Sequence, residues 1–355
     1  MKLGIIGLPQ SGKTTLFNAL TRATQPTGIT GKIEVHTAVV DVPDARVDKL
    51  SAMFQPKKTI YAKVTYADIA GLDGSAGKSG ISGALLNNLT QMDGFIHVVR
   101  CFDDENVPHP NGSVDALRDL AAMDSEFLLN DLIAVERRLE KLAEEKKKGA
   151  GRDKAVIDRE IELFNRFHEQ LSGDKLLRDM TLTADEEKML AGFGFLSRKP
   201  VLVVINLSEG QKEPAVQYDH QHSQVVSLQA KLEMDIAQLP PDEAEMFLQE
   251  YGIAEPSLNR MIRLSYDLLG LQSFFTVGPD EVRAWTTRRG ATAPEAAGEI
   301  HTDLQKGFIR AEVVAYEDLM SLGGMNEAKA KGRLRLEGKE YIVLDGDILN
   351  IRFNI

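Results

Sequence analysis

The stretch Gly7-Leu8-Pro9-Gln10-Ser11-Gly12-Lys13-Thr14 constrains the fold more than any other part of the chain. It matches G-x-x-x-x-G-K-[ST]. It follows the apolar run Leu3 to Ile6 and leads into Thr15-Leu16-Phe17-Asn18-Ala19-Leu20, which reads as the start of an amphipathic helix. A strand, a glycine-bounded loop and a helix in that order place the loop at the carboxyl end of a strand in an α/β sheet. The glycines let backbone N–H groups close around phosphate oxygens with no Cβ in the way. The helix N-terminus adds partial positive charge. Lys13 is then placed to reach the β- and γ-phosphates of a nucleoside triphosphate, and the Thr14 hydroxyl to meet Mg²⁺.

Other segments fit the same sheet. Val64 to Ile69, Phe95 to Val99 and Val201 to Ile205 are short, apolar and rich in β-branched residues, and Val225 to Leu228 reads as a further strand. Helix-length spacers separate them, which is the pattern of a doubly wound, mostly parallel sheet covered on both faces. Asp68-Ile69-Ala70-Gly71 ends the second of them. A carboxylate there can hold Mg²⁺ through a water, and the Gly71 N–H can sense a γ-phosphate. Asn206-Leu207-Ser208-Glu209 follows the Val201 to Ile205 strand, where guanine-reading proteins carry N-K-x-D. Glu209 is one methylene longer than that Asp and Leu207 replaces the Lys, so adenine is favoured over guanine.

At 355 residues the chain is too long for a single small core. A formal net charge of −11 argues against broad binding to DNA or anionic membrane, so neither specific DNA binding nor a membrane role is expected. The single cysteine, Cys101, allows no internal disulfide, and no apolar run approaches the roughly 18 residues of a membrane span. The expectation is a cytoplasmic protein.

Leu132, Val135, Leu139 and Leu142, then Ile157, Ile161, Phe164, Phe167 and Leu171, flank a charged turn from Glu144 to Arg152. Two helices with a narrow apolar seam predict an antiparallel coiled-coil hairpin with a basic tip. That tip reads either as a solvated turn or as a contact point for RNA or an acidic partner. From Phe274 onward alternating segments predict a small mixed β-domain. Within it, Tyr341 to Leu344, Asp345-Gly346-Asp347 and Ile348 to Phe353 read as strand, turn and strand.

Taken together, G-L-P-x-x-G-K-T-T-L-F-N-A-L, D-I-A-G-L, H-V-V-R-C-F at His97 to Phe102, N-x-x-E, L-Q-S-F-F-T-V-G-P-D-E-V-R-A-W-T and H-T-D-L-Q-K-G-F-I-R-A-E-V resemble the YchF family of Obg-like P-loop ATPases nearly end to end. The resemblance implies a P-loop G-domain over 1–113 plus 199–272, a helical coiled-coil insertion over 114–198, and a C-terminal β-grasp (TGS) domain over 273–355. It implies slow ATP hydrolysis with Mg²⁺ and association with the ribosome or RNA. Carried over by position, Pro9, Gln10, Ser11, Gly12, Lys13, Thr14 and Thr15 form the phosphate loop, with Thr14 and Asp68 toward the metal. Phe102, Asn206, Leu207, Glu209 and Ala230 fall at the base. Leu72 stands where many switch proteins carry a water-orienting Gln, so His109 becomes the candidate to position water, alongside Lys13 as the second catalytic residue.

Three departures from the family pattern surround the phosphate loop. Gln10 replaces an Asn linked to monovalent-cation activation, leaving potassium dependence open. Lys32 falls where a Mg²⁺-contacting Thr is expected, and Thr30 substitutes only with a loop shift. The glycine run after Gly71 is altered over Asp73 to Ser79. Two further readings therefore stand beside the ATPase: an ATP-gated binding module with negligible hydrolysis, and a GTPase that tolerates N-x-x-E.

Overall fold

The computed structural model describes residues 1–354 apart from 26–34, 71, 73–80, 82, 150, 252 and 254. In chain order its strands are β1 (Lys2–Ile6), β2 (Val35–Asp41), β3 (Lys58–Ile60), β4 (Lys63–Ile69), β5 (Gly94–Arg100), β6 (Val201–Asn206), β7 (Ser223–Leu228), β8 (Leu271–Val277), β9 (Glu281–Arg288), β10 (Phe308–Ala315), β11 (Arg335–Glu337) and β12 (Asp347–Phe353). The chain divides into two compact units, Met1–Ala38 with Thr65–Leu258, and Val39–Val64 with Asn259–Ile355.

The first unit is built on a sheet of order β2-β4-β1-β5-β6-β7. β1 pairs in parallel with both β4 and β5, and β5, β6 and β7 continue in parallel. Every residue of β5 and β6 is buried, as expected of central strands covered on both faces. This is the P-loop α/β fold read from the sequence. Register brings the carboxyl ends into line. Ile5 faces Asp68 on β4, and Arg100, Asn206 and Leu228 lie abreast on β5, β6 and β7. Loops leaving these ends meet along one edge, where ligands bind in open α/β sheets.

The 33-residue helix Ala116–Lys148 joins two parts of this unit. Asp115 caps it by accepting the Arg118 N–H. Near its start, Leu120, Met123 and Phe127 bury against the sheet, with Phe127 5.2 Å from the Phe95 ring. Its second half pairs with the helix Lys154–Ser172. Lys146 meets Asp158, Arg138 meets Glu160, and His168 reaches Glu136, so the helices run antiparallel. The seam follows the sequence pattern with Val135, Leu142, Ile157, Phe164, Phe167 and Leu171 buried. Leu163 joins them and Ile161 is only half-buried. The returning chain adds Phe195, stacked on Phe193 and edge-on to Phe167. At the tip, Lys146, Lys148 and Arg152 each meet a carboxylate.

The second unit has a sheet of order β11-β10-β12-β8-β9-β3. β8 and β9 form a hairpin, β12 lies parallel to β8, and β10 pairs antiparallel with β12 and β11. The helix Ala293–Ile300 lays Ala293, Ala296 and Ala297 onto Phe274, Phe308, Val313 and Leu349. Small residues let that helix approach the sheet closely. The result is a β-grasp core. The edge strand β3 comes from far earlier in the sequence and pairs in parallel with β9.

The strand–turn–strand expected at the C-terminus is corrected. Residues 341–344 form no strand; only an isolated bridge joins Ile342 to Thr292. Their backbone groups have other partners: the Val343 N–H donates to the Ala291 carbonyl, and the Val343 carbonyl accepts from Gln272 Nε2. Asp345 is likewise drawn away, accepting from the Ser273 N–H and from Arg46. The segment is a strap, and only Asp347–Phe353 is a strand.

Candidate functional site

The loop after β1 takes a path that ordinary side chains resist. Gly7 has φ +143°, and a Cβ there would lie 2.3 Å from the Val98 carbonyl oxygen. Gly12 has φ +99°, and its Cβ would lie 2.3 Å from Asn206 Nδ2. Both positions therefore need glycine. Gln10 adopts φ 63° without being glycine, a conformation that costs about 1–2 kcal/mol for an L-residue and less for Asn.

The helix Lys13–Thr21 starts directly from Gly12, whose carbonyl accepts the Leu16 N–H at 2.9 Å. Lys13 Nζ donates to the Leu8 carbonyl at 2.7 Å, so its charge lies along the loop. Burial lowers the Lys13 ammonium to about 8, against the favourable pull of Asp68. Thr14 Oγ1 donates to Asp68 Oδ2 at 2.9 Å. Burial raises the Asp68 carboxyl, while Thr14, Lys13 and His36 oppose the shift. Asp68 Oδ1 and Ser11 Oγ are buried with no hydrogen-bond partner among the described residues. An orphaned carboxylate oxygen beside a threonine hydroxyl is a hard-oxygen set that fits Mg²⁺. Positively charged Lys13 and a glycine-lined loop suit a chain of phosphates. His97, in the middle of β5, is a site neighbour that the motif reading missed. Burial pushes its imidazole down to about 3, with Lys13 and Arg178 adding repulsion.

On the β6 side, Asn206 ties two loops together. Its Nδ2 donates to the Ser11 carbonyl at 3.0 Å, and its Oδ1 accepts the Ala230 N–H at 3.0 Å. Ala230 is fully buried and Leu207 nearly so, with the Leu207 N–H donating to the Leu228 carbonyl. Glu209 is exposed. Phe102 is held by Arg100, whose guanidinium lies 4.4 Å from the ring centroid and whose Nε donates to the Phe102 carbonyl. Gln211 bridges these loops: its Oε1 accepts the Ser208 N–H and its Nε2 donates to the Cys101 carbonyl. Sequence patterning gave no signal for Gln211, because its partner Cys101 lies at another strand's end.

His109 is placed differently from the rest. Its Nε2 lies 2.9 Å from Asp119 Oδ2, and its Nδ1 accepts the Asn111 N–H at 3.1 Å. An accepting Nδ1 puts the ring proton on Nε2, which donates to Asp119. Both nitrogens are engaged and the ring is buried. Among the described contacts the structure brings together Ser11, Gly12, Lys13, Thr14, Asp68, Asn206 and Ala230, but not His109. Leu72 is buried in the core under the sheet. Cys101 is half-buried, and burial with nearby Asp119 raises its thiol to about 11, so it is no thiolate nucleophile. Gly71, Thr30, Lys32 and the altered run 73–79 lie outside the described residues.

Among the described residues no helix is long and apolar enough to cross a membrane. A family model described as 50S ribosome-binding GTPase matches residues 2–148. A second, for the YchF GTPase C-terminal region and described as a protein of unknown function, matches residues 271–354. A Bacillus subtilis protein named Ribosome-binding ATPase YchF is 40% identical over 99% of this chain and 99% of its own length. A Haemophilus influenzae protein of the same name is 41% identical over 100% and 99%. Obg-like ATPase 1 of rice is 36% identical over 100% of this chain and 92% of its own. The solved structure of the Schizosaccharomyces pombe YchF GTPase superposes with a TM-score of 0.83 at 30% identity, covering 99% of this chain and 97% of that one. End-to-end identity at this level, on a phosphate loop and a β-grasp unit in the same order, places the chain in the YchF family of Obg-like P-loop proteins.

Proposed function

We propose that the protein is a P-loop switch that binds ATP with Mg²⁺, hydrolyses it slowly and associates with the ribosome in the cytoplasm. The observation that carries the reading is the joining of Thr14 to Asp68 beside Lys13, at the mouth of a loop that tolerates only glycine at 7 and 12. In this reading the phosphate loop, Pro9 to Thr15, surrounds the triphosphate, and Lys13 neutralises charge on its terminal phosphates. Thr14 and Asp68 hold the metal, which when bound stabilises charge that develops on the phosphates in the transition state. Asn206 holds the phosphate loop and the Ala230 loop in register, while Phe102 and Leu207 supply apolar surface for the base. The relatives named as ribosome-binding ATPases support both the nucleotide and the partner.

The choice of ATP over GTP rests on Glu209, which is longer than the guanine-reading Asp and exposed. Displacement of a ribose-labelled fluorescent ATP by ATP and by GTP tests it. Tighter ATP binding is expected, and tighter GTP binding would overturn the choice. A second reading, a nucleotide-gated module with negligible turnover, is favoured by Leu72 in the core and by His109 engaged with Asp119. In the ATPase reading His109 must leave Asp119 to orient water, a rearrangement suited to a step triggered by the ribosome. The three-domain division at 113, 198 and 272 stays part of the proposal.

A further inference from the structure

Three loops end together at the carboxyl edge of β5, β6 and β7: Cys101–Phe102, Asn206–Glu209 and Gln229–Ala230. Most of their inward polar groups have protein partners. Asn206 uses both ends of its carboxamide on Ser11 and Ala230. Gln211 closes the first loop onto the second through Cys101 and Ser208. The Leu207 N–H meets the Leu228 carbonyl. Gln229 Oε1 differs: it is buried and has no hydrogen-bond partner among the described residues. Among the described residues, the orphans Asp68 Oδ1 and Ser11 Oγ belong to the phosphate site, and Arg100 Nη1 belongs to a guanidinium already fixed by the Phe102 and Val107 carbonyls.

A buried acceptor left unpaired costs free energy unless something supplies a donor. Gln229 stands at the N-cap of the helix Ala230–Gln238 yet makes no side-chain cap hydrogen bond, so helix capping does not explain it. Its neighbour Ala230 is bonded to Asn206, which is bonded in turn to the phosphate loop, so Gln229 adjoins a residue tied to that loop at the sheet edge where ligands bind in open α/β folds. We propose that Gln229 is a specificity-determining residue for the base, its carboxamide oxygen accepting a hydrogen bond from the exocyclic 6-amino group of adenine. Guanine presents a 6-oxo acceptor there, which the carboxamide oxygen repels in the orientation it has in the structure. The donors of guanine sit on its N1–C2 edge, whose usual carboxylate reader is replaced by the exposed Glu209. This assignment rests on the ATP reading above and names the group that enforces it.

The test compares ATP with purine riboside triphosphate, which carries hydrogen in place of the 6-amino group, and with GTP. Affinities come from displacement of ribose-labelled fluorescent ATP in the presence of Mg²⁺. The full-length wild-type chain is expected to bind ATP about tenfold more tightly than purine riboside triphosphate. In Gln229→Met, of similar length but without the acceptor, ATP is expected to weaken to the purine riboside level, while affinity for purine riboside triphosphate stays unchanged and reports an intact site. Equal wild-type affinities for ATP and purine riboside triphosphate would overturn the proposal with no variant needed. Undiminished discrimination in Gln229→Met would overturn it too, leaving the ATP reading standing. A wild-type preference for GTP over ATP would overturn the ATP reading itself and this assignment with it.

Discussion

At the scale of single residues, the site is arranged around charges taken out of water. Lys13 and Asp68 are shifted in opposite directions by burial, each toward its neutral form; Asp68 opposes the shift of Lys13, while the Thr14 hydrogen bond and then Lys13 oppose that of Asp68. Incoming phosphates and a divalent cation reverse both penalties, so the pair is poised for a charged ligand. His97 makes a pH prediction. Its folded value of about 3 lies below the ordinary 6.5, so between those values the unfolded chain binds the extra proton. Stability therefore falls as pH drops through 6.5, by about 1.4 kcal/mol per unit. Urea unfolding at pH 7.5 and 5.5 should show this loss in the wild type. His97→Gln removes the contribution, so the gap between the two proteins should narrow by about 1.4 kcal/mol over that interval. An unchanged gap would remove His97 from the account of acid sensitivity.

At the scale of elements, the helical hairpin is anchored by one carboxylate. Asp131, on the helix Ala116–Lys148, accepts the N–H groups of Leu196 and Ser197 and the Ser197 hydroxyl at 2.6–2.9 Å. Burial still raises its carboxyl to about 6 against those bonds. Asp131→Ala would strand two backbone donors in the interior at a cost of about 3 kcal/mol, read as a lower denaturation midpoint at unchanged m-value. A loss below 1 kcal/mol would mean that water or a shifted chain replaces the carboxylate. Legibility divides along the same line. The seam residues Val135, Phe164 and Phe167 were readable because their spacing is local. Asp131 was not, because its partners lie 65 and 66 residues away. The contact between His109 and Asp119 was not readable either, although only ten residues separate them, because the motif that singles out His109 says nothing of its hydrogen-bond partners. The apolar run 341–344 looked like a strand because side-chain pattern does not reveal which backbone groups find ladder partners.

At the scale of the whole molecule, chain order and spatial order part company in Val39–Val64, which belongs to the same compact unit as the C-terminal chain. No sequence signal marked this. β3 is three residues long, two of them exposed, and its partner strand begins more than 200 residues later. Arg46 is the clearest tie. It bonds Asp44 and Asp345 and lies 5.1 Å from the Phe275 ring centroid. With Arg46 partly exposed and Asp345 about half exposed, Arg46→Ala is expected to cost about 1–2 kcal/mol. Hydrogen exchange should speed up both in Ala45–Phe54 and around Asp345. Faster exchange in the helix alone would show that Arg46 acts only through Asp44.

The phosphate loop, the β-grasp unit and the family were legible because short motifs in order specify them, whereas the surroundings of His109 and Leu72, on which the proposed turnover rests, are displayed only by the structure. Single-turnover ATP hydrolysis, measured with and without ribosomes for the wild type and for Lys13→Ala, tests the proposed switch most directly. Slow phosphate release by the wild type, accelerated by ribosomes and abolished in Lys13→Ala, is the expected result. Release no faster than in buffer, with ribosomes as without, would contradict it and leave the nucleotide-gated module as the better description.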